Sequence, residues 1–415
     1  MRVWFVHQNF PGQYRHLAKH FADSPAYDVV TIGENTRLIL SGAHQYTYNK
    51  PKISSQSTHH YIQGLESAVR RGQEVARLAL ELKKKGMEPD IVCSHPGWGD
   101  TLYFKELFPN AKLLSYFEFY YRSSGADVGF DTEYANVDLD DICRVRTKNS
   151  VNLLTLEMAD WGLCPTAWQC GQFPVSFQSK MSVIHDGIDT DLVRPEAQAS
   201  LKVGRNQQSF SKEDEVITFV ARNLEPYRGF HTFMRALPEV MRRRPNAHVF
   251  IVGGDKVSYG RPAPDNKSYR QLLMEEVGEH VDMERLHFFG HVPYQHYLNI
   301  LQISSVHVYL TYPFVLSWSL LEAMSAGCPI AASRTPPVEE VIRPGENGLL
   351  FDFFSADELC DTVDRLLTDT DMALELGARA RQTIVESYDL TRICLPQQIR
   401  LIEDVAAGHV AAAAR

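Results

Sequence analysis

The chain of 415 residues lacks several things that would place it quickly. No apolar run approaches the roughly 18 residues needed to span a bilayer as a helix. There is no surplus of positive charge: 42 Lys and Arg stand against 51 Asp and Glu, a net charge of -9. That balance argues against nucleic acid as the main partner, because binding a phosphate backbone needs a basic footprint. The seven cysteines are odd in number and form no CxxC pair, which excludes a disulfide framework and a zinc ribbon. Several, such as Cys93 in "DIVCSH", sit in apolar strand-like runs and read as reduced core residues of a cytoplasmic protein. The apolar part of "MRVWFVHQNF" is too short for a signal peptide and is interrupted by His7 and Asn9. A Walker loop is absent, and the glycine cluster "VGGDKVSYG" is not GxGxxG, so a P-loop enzyme and a dinucleotide oxidoreductase are both disfavoured.

What is present is alternation. Strand-like runs ("VWFVH", "YDVVTIG", "DIVCSH", "KLLSYFEF", "WGLCPT", "MSVIHDG") alternate with helix-like segments such as "QYRHLAKHFA". The second half repeats the pattern with "VITFVAR", "HVFIVGG", "LHFFGHV", "VHVYLTY", "CPIAAS" and "GLLFDF". Alternating β and α predicts parallel sheets covered on both faces, and the length predicts two such domains. The polar, aperiodic stretch 194–214 reads as a linker. The expected division is a first domain over 1–193, a second over 215–390, and a helix or tail over 391–415. Doubly wound sheets bind ligands beyond the carboxyl ends of their strands.

One segment poses a chemical question. "FVLSWSLLEAMSAGCP" (314–329) follows the strand-like "VHVYLTY" and becomes helical from Ser319, ending at Gly327. A strand running into a helix leaves backbone N–H groups at the turn, which bind anions. Glu322 stands one turn inside. The same spacing also fits an S-x-x-E cap from Ser319.

In order, "FPGQYRHLA", "VIHDGIDTDLVRPE", "VARNLEPYRGFHTF", "HFFGHVPYQHYL", "SWSLLEAMSAGCPIAAS" and "PPVEEVIRPGENGLLF" resemble glycosyltransferase family 4. The resemblance implies a GT-B fold, two Rossmann-like doubly wound domains facing each other across a cleft, with the acceptor side over 1–193 and the nucleotide-sugar-binding domain over 215–390. It implies retaining transfer of a sugar from a nucleoside diphosphate sugar, with UDP or GDP as the expected base, to a hydroxyl acceptor. No cofactor or metal is expected. The alternative is a nucleotide-sugar-binding GT-B protein whose chemistry is lost or altered, such as a phosphorylase or epimerase.

The resemblance also assigns residues. In "RNLEPYRG", Arg222 and Arg228 match the basic pair that holds the donor diphosphate, with Arg228 in place of the usual lysine. Fixed cations in a poorly hydrated site stabilise the charge that builds on a leaving diphosphate. Glu322 matches the second acid of E-x7-E, which accepts the donor ribose hydroxyls. The turn around Leu316, Ser317, Trp318 and Ser319 would face the diphosphate. Phe314 departs from the family, since the first acid belongs there. Gly12 matches a glycine turn that lets the donor approach, and Pro11-Gly12 is also an ordinary turn dipeptide. His95 matches a cleft-lining histidine. Glu118 occupies the place of a further histidine, and a carboxylate among rings is a candidate base.

Two clusters read more plainly. "DTD" at Asp189 to Asp191 resembles a metal motif of a different fold, but here it fits a turn and cap. "RRGQEVARLALELKKKG" carries basic residues at helical spacing. That fits a solvated face, or weak peripheral contact with an anionic membrane.

Overall fold

Two parallel sheets organise the chain, each in its own unit. The computed structural model describes residues 1–52, 57–204 and 206–410. The first unit comprises Met1–Gly129, Ala135–Gly187 and Thr391–Arg415, and the second Phe130–Tyr134 and Ile188–Leu390.

The main sheet of the first unit has seven strands among the described residues: β1 (Arg2–Val6), β2 (Asp28–Gly33), β3 (Ala43–Thr47), β4 (Ile91–Ser94), β5 (Lys112–Tyr116), β6 (Trp161–Cys164) and β7 (Met181–Val183). They pair in parallel in the order β3-β2-β1-β4-β5-β6-β7. The order reverses direction between β1 and β4, the switch point where doubly wound sheets open a ligand crevice. Trp4, Val6 and Val92 pack with Val75, Ala79 and Leu82 from the helix Gln63–Lys84. Fully burying each such side chain contributes on the order of 1.5–3 kcal/mol.

Of the seven strands, β3 was not anticipated. Its sequence, Ala-His-Gln-Tyr-Thr, has no apolar run, and its residues are half-buried or exposed because it lies at the sheet edge. The segment 391–415, expected as a helix or tail, contains the helix Leu395–Ala407 and belongs to the first unit, with 411–415 outside the described residues. Leu401, Ile402 and Val405 join the core around Val3 and Phe5, and the Gln398 amide donates to the His185 carbonyl at 2.8 Å.

The second unit's main segment begins earlier than expected, at Ile188, and the predicted linker is ordered on either side of residue 205, which lies outside the described residues. The linker forms an antiparallel hairpin of β8 (Ser200–Val203) and β9 (Gln208–Ser211). Phe210 anchors the hairpin on Val216 and Phe250, one aromatic ring holding a polar stretch that periodicity alone could not place. The main sheet contains β10 (Val216–Asn223), β11 (His248–Gly254), β12 (Leu286–Gly290), β13 (Val306–Tyr309), β14 (Ile330–Ser333) and β15 (Leu349–Phe351). Its order is β12-β11-β10-β13-β14-β15, all parallel, with the switch between β10 and β13.

None of the seven cysteines forms a disulfide, and six are buried. Among the described residues no helix is long and apolar enough to cross a membrane. The basic helix Gln63–Lys84 is largely self-neutralised: Arg70 pairs with Glu66 and Arg77 with Glu74, while Arg71 is drawn in to Glu34. Asp189 caps its turn by accepting the Leu192 N–H at 3.0 Å, as the turn reading expected.

Candidate functional site

In the second unit, the two segments leaving the switch point carry most of the predicted residues. After β10 the chain turns through Pro226–Arg228 into Gly229, whose φ of +62° is left-handed and whose Cα faces Leu310 too closely for any side chain. This turn folds Arg228 inward. Its guanidinium is buried, and Nη1 donates to Thr311 Oγ1 at 2.7 Å, the Val315 carbonyl at 3.0 Å and the Tyr309 hydroxyl at 3.4 Å. Arg222 differs: it is exposed, next to a register irregularity between Val220 and Asn223. The two arginines expected as a matched pair therefore occupy unlike environments, one fixed and one solvated.

After β13 the segment 310–317 leads into the helix Trp318–Ser325. Its cap is Ser317, whose hydroxyl accepts the Ser319 N–H at 3.3 Å and lies 2.9 Å from the Ser319 hydroxyl. The Ser317 N–H, expected to face an anion, donates to the Tyr309 hydroxyl at 3.0 Å. Tyr309 thus joins the helix turn to Arg228. Leu316 is buried in the core, and Trp318 is exposed. Glu322 does not form the S-x-x-E cap. Its carboxylate accepts the Tyr294 hydroxyl at 2.6 Å and the Tyr297 hydroxyl at 2.8 Å. Burial raises its pKa, against the opposing effect of these two hydrogen bonds. The tyrosines stand three apart on the helix Tyr294–Gln302, so they share a face.

Phe314 is buried, with its ring 4.9 Å from Tyr259 and 5.4 Å from Tyr227. Tyr259 lies under the Arg228 guanidinium, 5.3 Å from ring centre to Cζ. An aromatic cluster fills the place of the family's first acid. Its loop is held by Glu225, a residue the motif reading passed over. The fully buried Glu225 carboxylate accepts the backbone N–H groups of Ser258, Tyr259 and Gly260 at 3.0–3.1 Å. A charged acceptor for three successive donors fixes a loop that has no regular structure of its own.

The segment Phe130–Tyr134 docks beside this cluster. Asp131 accepts the Tyr312 hydroxyl at 2.9 Å and pairs with His231 Nε2 at 3.0 Å, while Glu133 takes a two-point bond from Arg235 at 2.6 and 2.7 Å. Burial pushes the Asp131 carboxyl up, but the His231 and Tyr312 contacts outweigh it and hold it low. Among the described residues, Asp131, Glu133 and His231 are the one group close enough to share a metal ion. Each carboxylate there already serves a protein donor.

The first unit gathers its polar residues at the other switch point. His7 follows β1 and His95 follows β4, with ring centres 5.6 Å apart and Trp98 against both. Each ring is oriented alike. Nδ1 of His7 accepts the Asn9 N–H at 3.0 Å, and Nδ1 of His95 accepts the Gly97 N–H at 3.1 Å. The ring proton is therefore on Nε2 in both. Burial, then the neighbouring His95, lowers the His7 pKa to about 3. Glu118 follows β5, and its Oε2 lies 3.6 Å from His95 Nε2. Gly12 has a φ of +50°, and a Cβ there would stand 2.3 Å from His7 Nε2. His7, which the motifs did not single out, links Gly12 to His95, and His95 in turn lies against Glu118. The hint was its place in "VHQNF", directly after a strand.

A family model described as "Glycosyl transferase family 4 group" matches residues 25–193, and one described as "Glycosyl transferases group 1" matches 204–383. The two glycosyltransferase models together span most of the chain, which belongs to the glycosyltransferases, with the family 4 group match at 25–193. A D-inositol 3-phosphate glycosyltransferase from Corynebacterium aurimucosum is 27% identical over 198 residues, 48% of this chain and 45% of that protein. A GDP-mannose-dependent alpha-(1-6)-phosphatidylinositol monomannoside mannosyltransferase from Mycobacterium tuberculosis is 27% identical over 213 residues, 51% of this chain and 52% of that protein. The chain thus spans about half the length of the curated relatives it matches. In fold, it resembles a sucrose-phosphate synthase from Thermosynechococcus elongatus (TM-score 0.73, 17% identity, 98% of this chain and 100% of that one). It also resembles the Anabaena protein HepE solved with UDP and glucose (TM-score 0.68, 15% identity, 97% and 99%). The GT-B expectation of two Rossmann-like domains therefore holds.

Proposed function

We propose that the chain is a retaining glycosyltransferase that moves a sugar from a UDP- or GDP-sugar to a hydroxyl acceptor without a metal ion. The observation that carries this is the pairing, at one switch point, of a buried arginine with a carboxylate one helical turn inside the facing segment. Arg228 suits a diphosphate, and Glu322 suits a ribose diol. Ribose hydroxyls would replace those of Tyr294 and Tyr297 as donors to Glu322. In the reaction, the bond from the sugar's anomeric carbon to the diphosphate breaks and the acceptor oxygen bonds to the same face. The acceptor proton passes to the leaving phosphate, and a nucleoside diphosphate departs. Arg228, with Arg222 as a solvated second cation, stabilises charge that exists only as that bond breaks.

Membership of the family supports a sugar transferase, and relatives named for GDP-mannose or solved with UDP support a nucleotide donor. The test is transfer from UDP- and GDP-sugars with and without chelator, reading the anomeric configuration of the product by NMR. Retention and indifference to chelator are expected. Inversion, or metal-reversible loss, overturns the mechanism. Phe314 favours one second reading, a nucleotide-sugar-binding protein without transfer. Nucleotide binding with neither transfer nor donor hydrolysis would establish it.

A further inference from the structure

The carboxyl edge of the first unit's sheet has a chemical character that constrains what it binds. Among the described residues, Nε2 of His7 and of His95 have no hydrogen-bond partner, although the two side chains are only 3% and 4% exposed. The Gln13 side chain faces His7 and favours its charged form, but neither its amide oxygen nor His7 Nε2 reaches hydrogen-bond geometry. Buried donors of this kind are costly unless a ligand oxygen meets them. Because backbone N–H groups occupy both Nδ1 atoms, each ring offers a neutral N–H. His7, with a pKa near 3, stays neutral throughout the physiological range.

The charges linked to these rings are mostly acidic. Glu118 lies against His95. Asp100, buried and accepting the Tyr48 hydroxyl at 2.6 Å, has its pKa raised to about 6 by burial and feels both Arg71 and His95. Arg71 is the cation, and it is already held, with Nη2 3.4 Å from Glu34 and Nη1 donating to the Trp98 carbonyl at 3.1 Å. A phosphate here would meet two uncharged donors and the carboxyls of Glu118 and Asp100, while Arg71, the cation linked to them, is already held. A hydroxyl suits both sides, since it accepts from an imidazole N–H while donating to a carboxylate.

Resting on the transferase reading, we propose that this edge takes the acceptor as a neutral polyol. One hydroxyl accepts from His7 or His95 Nε2–H and donates to Glu118, and phosphate-bearing acceptors are disfavoured. His7 and Glu118 thereby become specificity-determining residues.

The test uses the full chain with 15N-labelled imidazoles, the two resonances assigned through His7→Gln and His95→Gln. The probes are D-glucose, D-mannose, N-acetylglucosamine and myo-inositol, set against inorganic phosphate and glucose 6-phosphate. At neutral pH both rings should show protonated Nε2. At least one neutral probe should shift both resonances saturably, phosphate should not, and Glu118→Gln should weaken that affinity about tenfold or more. Tighter binding of phosphate, or no response to any neutral probe, overturns the proposal. UDP and GDP titrated into the same samples read the donor side separately. Polyol binding without nucleotide binding would defeat the transferase reading while leaving the polyol site standing.

Discussion

The hydroxyl of Tyr297 donates to Glu322 at 2.8 Å, so the acid expected to hold a ribose is occupied by protein in the unliganded chain. A nucleotide must exchange that bond for its own. Glu322→Ala is expected to weaken nucleoside diphosphate binding about tenfold or more. It should also cost about 1–3 kcal/mol of stability, because the buried Tyr297 hydroxyl loses its acceptor. Calorimetry and thermal unfolding separate the two. Unchanged affinity with lowered stability would make Glu322 structural only.

The raised pKa of Glu322 gives a pH signature. The native state holds this proton more tightly than the unfolded chain. Its contribution to stability is therefore full below the unfolded value of about 4.3 and is lost as pH rises through the folded value. Nucleotide affinity should run the other way and strengthen over that window as the carboxylate forms. The slope should vanish in Glu322→Gln.

Glu225 is the anchor of the 258–260 loop, and Glu225→Ala leaves three backbone donors without their acceptor. A loss of about 3 kcal/mol or more is expected, with faster amide exchange at Ser258, Tyr259 and Gly260. Unaltered exchange there would show that the aromatic cluster holds the loop unaided.

The two arginines should differ. Arg228→Ala is expected to lower kcat about 100–1,000-fold, as when one fixed transition-state donor is removed. Arg222→Ala should lower it less, because an exposed cation acts through solvent. Nucleoside diphosphate release by both variants makes the comparison, and equal losses would restore the matched pair.

Gly12→Ala should disturb His7 directly. The left-handed backbone and the 2.3 Å approach to Nε2 together imply a loss of about 1 kcal/mol or more, with a displaced His7 imidazole resonance. A normal resonance would mean the loop yields instead.

Both sheets were legible in the sequence because their strands are buried on both faces and read as apolar runs. The edge strand Ala43–Thr47 and the hairpin of Ser200–Val203 and Gln208–Ser211 were not, since these polar segments contain no apolar run. Arg228 and Glu322 were visible through motif order. Glu225 was not, because a charged residue in a loop gives no sign in one dimension that it will be wholly buried. His7 was overlooked for the opposite reason: a lone histidine ending a strand is common, and its meaning appears only when β4 delivers His95 beside it.

The most direct measurement is calorimetric titration of the chain with UDP, GDP, ADP and TDP, with and without chelator. At least one should bind equally well in both conditions and lose affinity in Arg228→Ala and Glu322→Ala. If none binds at millimolar concentration, or binding disappears with chelator, the donor site assigned to Arg228 and Glu322 is wrong.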